Sequence, residues 1–163
     1  MNDGAKLEIV LAQWKRERPD LDTFCMVVCG EVWRAGNRLM AGLQDNLQRH
    51  DLDFPSFDVL LTLRRNGPAN AMSPTMLSRD MMLSNSAMTA RIDKLETRGL
   101  IARSPDATDR RGLLISLTQE GIDLTGPLVD RHVAAEQAML SALSREEQKL
   151  LLDLLSRVAV DEG

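Results

Sequence analysis

The sequence is short of the side chains on which most enzyme and metal chemistry rests. Among 163 residues there are two histidines, two cysteines and no tyrosine, and aromatic residues make up 3%. His50 and His132 are isolated, and neither stands at a metal-ligand spacing from a cysteine. No glycine-rich phosphate loop and no serine–histidine–aspartate set is present. The expectation is therefore a protein that is not an enzyme and uses no cofactor or metal, with both histidines as solvated side chains near helix surfaces.

Other absences bound the architecture. No apolar run approaches the roughly 20 residues needed to cross a bilayer. The first residues, MNDGAKLEIVLAQWKRERPDLD, are mixed in charge and lack the apolar block of a signal peptide. The expected location is cytoplasmic, with no membrane partner. There is no internal repeat and no low-complexity linker. A hydrophobic share of 44% over 163 residues suits one domain with its own core.

Cys25 and Cys29 are four residues apart, which on a helix puts them on one face. They read as small buried apolar residues. A redox pair or half of a metal site are the alternatives. A disulfide inside one regular helix is geometrically awkward.

The net charge of −4 hides an asymmetry. Residues 60–120 carry nine Lys/Arg against six Asp/Glu, and the remainder carries 11 against 18. A basic centre on an acidic frame suits a protein that turns one face toward phosphates.

Periodicity and capping signals place the elements. A helix over about 5–18 carries Leu7, Val10, Leu11 and Trp14 and ends near Pro19. A longer one follows from about 21 to 49, with Val28, Val32, Leu39, Leu43 and Leu47 near helical spacing. Asp53 caps the next, Pro55 lies in its first turn, and it stops before Gly67-Pro68. Ser73 caps a short helix over 74–81. The Ser84-Asn85-Ser86 cluster caps another that runs to about 98 and is ended by Gly99. Two helices so joined form a helix-turn-helix.

LIARS (100–104), the charged turn PDATDRRG and LLISLT (113–118) then read as a hairpin, the wing of a winged helix. Thr118 caps a helix over 119–141, with a kink or break expected at Gly126-Pro127. Ser144-Arg145-Glu146-Glu147 is a capping box opening a last helix with Leu150, Leu151, Leu154, Leu155 and Val158.

The fold class is thus mainly α with a small β-hairpin: a winged helix-turn-helix flanked by N- and C-terminal dimerisation helices. The expected layout is a single domain over 1–163, with 1–50 as N-terminal and dimerisation helices, 55–120 as winged helix-turn-helix and 119–160 as C-terminal dimerisation helices. The apolar stripes of the terminal helices need a cover. A twofold partner supplies it; an intramolecular bundle is the alternative.

The stretch FDVLLTLRRNGP, continuing through LSRDMMLSNSAMTARIDKLETRGLIARSPDATDRRGLLISLTQEG, resembles the MarR family of transcriptional regulators over residues 57–121. Its most specific parts are MTARIDKLETRGLI and the DRR before ISLT-x-x-G. The N-terminal WKRERPDLDT resembles the urate-responsive, PecS-like branch, which adds an N-terminal helix with a tryptophan. The matching ligand residues are Trp14, Asp58, Arg91 and Arg103. Ala90 departs from the branch, where many relatives carry asparagine, and puts DNA contacts or ligand preference in question.

The resemblance implies a homodimeric regulator, a repressor that binds a palindromic operator in double-stranded DNA and is released by an anionic purine such as urate. A recognition helix reads base edges near its N-terminal end, so Ser84, Asn85, Ser86 and Thr89 are the candidate DNA contacts there. In the wing, Arg110 or Arg111 enters the minor groove, and Asp109 holds an arginine in orientation. Trp14 offers a flat face and an N–H donor, and Arg91 and Arg103 offer planar forks for an anion. Asp58 is like-charged with that ligand. The rival readings are a redox-sensing regulator of the same fold using Cys25 or Cys29, a regulator of phenolic or xenobiotic response, and an interaction module without DNA binding.

Overall fold

A computed structural model of the chain describes residues 3–67, 71–81, 88–107, 109 and 112–158. The chain divides into two compact units, Met1–Ala41 and Gly42–Gly163.

The first unit holds α1 (Asp3–Glu17) and most of α2 (Phe24–Gln48). Pro19 forces the residue before it out of helical geometry, so α1 ends where the sequence demands. The link is tightly bonded: the Arg18 guanidinium pairs with Asp20 at 2.6 Å, and Leu21 N–H donates to the Arg18 carbonyl at 3.1 Å. Asp22 Oδ1 accepts from Phe24 N–H at 3.0 Å and satisfies one free donor at the start of α2.

The second unit carries the core. The end of α2 contributes Leu43 and Leu47. The Leu47 carbonyl accepts from both His50 and Leu52 N–H, and Asp51 turns the chain with a φ of 52°. In α3 (Phe54–Arg65), Phe57, Val59, Leu60 and Leu63 are buried. Its cap is Asp53, in extended geometry, whose carboxylate accepts from Ser56 N–H at 2.8 Å. Ser73 caps α4 (Pro74–Asp80) in the same way.

Met88, Ile92 and Leu95 of α5 (Met88–Thr97), at helical spacing, turn its buried face toward α3. The helix then ends on Gly99 at φ +71°: Leu100 N–H reaches the Leu95 carbonyl and Gly99 N–H the Glu96 carbonyl, the paired bonds of a Schellman stop. β1 (Ile101–Pro105) and β2 (Leu113–Leu117) form an antiparallel hairpin with Ile101 opposite Leu117 and Pro105 opposite Leu113. Met72 bridges to Ile115 and ties the segment before α4 to the wing. Thr118 caps α6 (Gln119–Met139), and α7 (Arg145–Ser156) opens on the reciprocal Ser144–Glu147 box.

Three expectations need correction. First, α6 is continuous through Gly126-Pro127, so the helix does not break there. Pro127 removes only one ladder bond, and the turn ahead of it is held from outside the ladder. Arg64 Nη1 donates to the Ile122 carbonyl at 2.8 Å, and Thr125 Oγ1 donates to the Gly121 carbonyl at 2.7 Å.

Second, His132 is not solvated; it is buried, with its ring 5.1 Å from Phe57 and 6.1 Å from Phe54 and its Nε2 3.2 Å from Glu136 Oε1. It belongs to the inward stripe Gly121, Thr125, Leu128 and His132. Third, Cys25 and Cys29 are both exposed, not buried.

The Asp53 cap supplies a first prediction. Burial pushes its carboxyl pKa up, but the bonds from Ser56 and the charges of Lys94 and Arg91 outweigh it, so the pKa lies below the ordinary carboxylate range. A lowered folded-state value stabilises the fold above the ordinary pKa, and the gain is lost as pH falls through the lowered one. Asp53→Ala is expected to cost about 1 kcal/mol at neutral pH. In urea titrations the gap between the two proteins closes below about pH 4.

Candidate nucleic-acid interface and ligand residues

Two short helices followed by a two-stranded wing place α5 and the hairpin side by side in the second unit. Thr89, on the first turn of α5, is exposed, as is Asp109 in the wing. The Asp109 carbonyl accepts from Gly112 N–H at 2.8 Å, and Asp106 N–H donates to the Gly112 carbonyl at 3.0 Å, so the wing turn closes on its own backbone. Ser84, Asn85, Ser86, Arg110 and Arg111 lie outside the described residues.

The candidate ligand residues fall in both units. Trp14, in α1, is partly exposed and its carbonyl accepts from Arg18 N–H at 2.7 Å. The other three sit in the second unit on elements that pack on one another: Asp58 on α3, Arg91 on α5 and Arg103 on β1. Asp58 is buried at 1% exposure, an unusual place for a carboxylate. Arg91 is half-buried and close enough to Asp53 to depress its pKa.

Arg103 is held most specifically. Its two terminal nitrogens donate to Asp93 and Glu96, three residues apart on α5, and so fasten the first wing strand to the recognition helix. The bond to Asp93 raises the guanidinium pKa further, with both carboxylates adding to the shift. Arg103 is therefore cationic at any working pH.

Asp93 and Glu96 were not singled out from the sequence. Their i, i+3 spacing was visible, but their arginine partner is set by how β1 folds back after Gly99. Arg98 was likewise unforeseen. Its guanidinium donates to the carbonyls of His50 and Asp51 at 2.8 and 2.6 Å, locking the C-terminal end of α5 to the turn between α2 and α3. Nothing in the local sequence marks those carbonyls as acceptors.

A helix-turn-helix whose second helix is buttressed by a two-stranded wing is the architecture of the winged-helix DNA-binding proteins. Residues 52–113 match the MarR family. Over 149 residues the chain is 40% identical to the HTH-type transcriptional regulator PecS of Dickeya dadantii (strain 3937), covering 91% of this chain and 90% of that protein. The chain belongs to the MarR family of DNA-binding transcriptional regulators.

Solved structures agree with that placement. Sco3205, a MarR family transcriptional regulator from Streptomyces coelicolor solved in complex with DNA, aligns with a TM-score of 0.77 at 25% identity over 85% of this chain and 91% of that one. Bordetella bronchiseptica BpsR, whose DNA binding is regulated by 6-hydroxynicotinic acid, aligns with a TM-score of 0.70 at 27% identity over 82% and 98%. Among the described residues no helix is long and apolar enough to cross a membrane.

Proposed function

We propose that this regulator is a cytoplasmic homodimeric repressor that binds a palindromic operator and releases it when an anionic purine such as urate is bound. The observation that carries the ligand reading is the tie between Arg103 on the wing and Asp93 and Glu96 on the recognition helix. An anion with several acceptor atoms competes with those carboxylates for Arg103, and Arg91 lies on the same helix. Loosening that tie changes how the wing is set against α5. The ligand shifts the equilibrium to the extent that it prefers the released state.

For DNA, α5 enters the major groove with Ser84, Asn85, Ser86 and Thr89 near its leading end, while Arg110 or Arg111 of the wing reaches the minor groove beside Asp109. The exposure of Thr89 and Asp109 supports this assignment. The whole chain, 1–163, works as one regulator whose flanking helices pair two copies. None of the residues of α7 is buried within its own chain, although Leu150, Leu151, Leu152, Leu154 and Leu155 lie along it. A twofold dimer repeats α5 about 34 Å apart along DNA, which is why the operator is palindromic.

The test is a titration of urate, xanthine and a simple phenolic acid against the operator complex. Urate is expected to release the parent protein. For Arg91→Ala the concentration needed rises about tenfold or more, because a charge-assisted bond to the ligand is lost. Arg103→Ala, which also removes the tie to Asp93 and Glu96, is expected to bind the operator weakly with or without urate. Trp14→Ala, in the other unit, tests the aromatic contact by itself. If Arg91→Ala and Trp14→Ala respond like the parent, the assignment is wrong; release by the phenolic acid alone points to the phenolic or xenobiotic reading. A redox sensor acting through one thiol is the second reading, favoured by the exposure of Cys25 and Cys29. Peroxide that abolishes operator binding together with a mass shift on either cysteine selects it.

A further inference from the structure

In a purine-responsive regulator the cysteine pair has no role. Cys25 and Cys29 lie on successive turns at the start of α2, both exposed, and Trp33, the next residue in the same i, i+4 series, is 71% exposed. In the single chain the three form one exposed stripe along α2. Sγ of Cys25 is 3.8 Å from the Asp22 carbonyl. The turn beneath is pinned by the Asp22 cap and by Met26 N–H donating to the Thr23 carbonyl at 3.1 Å.

Side chains four apart on a helix have Cβ atoms about 5–6 Å from one another. A disulfide needs about 3.5–4.5 Å. Direct oxidation of this pair therefore requires the first turn of α2 to come apart. Insertion of one thiophilic atom between the sulfurs lengthens the bridge by a full bond and spans the gap with the helix intact.

We infer that Cys25 and Cys29 form a chelating site for a trivalent arsenical, with an aryl substituent on the arsenic resting against Trp33. The exchange balances without an oxidant. An aryl arsenoxide loses its oxygen, two As–S bonds form, and the two thiol protons leave with that oxygen as one water. Arsenic stays trivalent and sulfur is not oxidised. Two thiols held at the right spacing bind far more tightly than one, because the second bond forms within an existing complex.

The probe is phenylarsine oxide added to the reduced full-length protein, read by intact mass under native conditions and by tryptophan emission in a Trp14→Phe background. The expected result is one adduct per chain, with the mass of one phenylarsine oxide less one water. Excess monothiol leaves it in place, 2,3-dimercaptopropanol removes it, and Trp33 emission changes on binding. Cys25→Ser and Cys29→Ser each bind about 100-fold more weakly in competition.

A rearranged protein, Cys29→Ser with Gly30→Cys, keeps two thiols but moves one to another face of α2. A Cβ at residue 30 meets nothing within 4 Å, so the backbone there has room for a side chain. It is expected to lose monothiol-resistant binding at unchanged helical circular dichroism. Equal binding by the rearranged protein, two adducts per chain, or discharge by monothiol would overturn the inference. So would rapid formation of a Cys25–Cys29 disulfide with helicity retained.

Discussion

Gly121→Ala is expected to unfold the winged-helix unit, although alanine in a helix ordinarily stabilises it by about 0.5–1 kcal/mol relative to glycine. Gly121 lies in the first turn of α6, where a Cβ would overlap the Leu100 carbonyl oxygen and come within 3.2 Å of Leu117 Cδ2. The Leu100 carbonyl cannot retreat. It accepts from Thr118 N–H at 3.1 Å, and Leu100 N–H is engaged with Leu95 in the stop that ends α5. The clash therefore sets helix start against helix stop, and a cost above about 4 kcal/mol is expected, in the range reserved for broken backbone packing.

Gly126→Ala is the internal control. Apart from its chain neighbours its Cβ meets only the end of Arg64, at 3.9 Å. The gain in helix preference is set against the restriction Pro127 places on the residue before it, and the change is expected to stay within about 1 kcal/mol. Urea midpoints followed by circular dichroism compare the two. Equal midpoints would show that the close approach of α6 to Leu100 is wrong.

The second large effect concerns the proposed dimer. Leu151 and Leu155, one turn apart on α7, are 37% and 43% exposed in the single chain. Replacing both with glutamate leaves the chain's own core untouched but puts two charges where a partner would bury apolar surface. The expected product is a folded monomer. A monomer engages one half-site at a time, so operator affinity falls by about 100- to 10,000-fold at fixed salt. Sedimentation and operator titration measure the two effects together. A double variant that stays dimeric, or a monomer that binds the operator as well as the parent, removes α7 from the interface.

Much of this architecture was legible because its signals are local. Asp53, Ser73, Thr118 and Ser144 each cap the helix expected of them, since a side-chain oxygen next to free N–H donors acts within three residues. Gly99 ends α5 because only a residue tolerant of positive φ closes that turn cheaply. The wing followed from β-branched alternation on either side of a charged turn. The family was equally legible, in the recognition-helix and wing motifs.

What misled was context. His132 looked isolated along the chain, yet the stripe that buries it on Phe57 runs at i, i+4, i+7 and i+11 from Gly121. Cys25 and Cys29 looked like core residues because cysteine is so often buried, but one helix face is buried only if something covers it. Pro127 looked like a break, and Arg64 reaching across from α3 helps hold the turn before it together. The four ligand candidates were chosen by chemistry and resemblance. Their spacing along the chain carries no information about Arg103 clasping Asp93 and Glu96.

The order of helices and strands, their caps and stops, and the winged-helix class were thus written in the amino-acid order, because each depends on groups a few residues apart. The placement of His132, the continuity of α6 and the grip of the wing on α5 were decided only in three dimensions. They depend on side chains separated by 7 to 75 residues that meet when the core closes, and no local rule specifies those meetings.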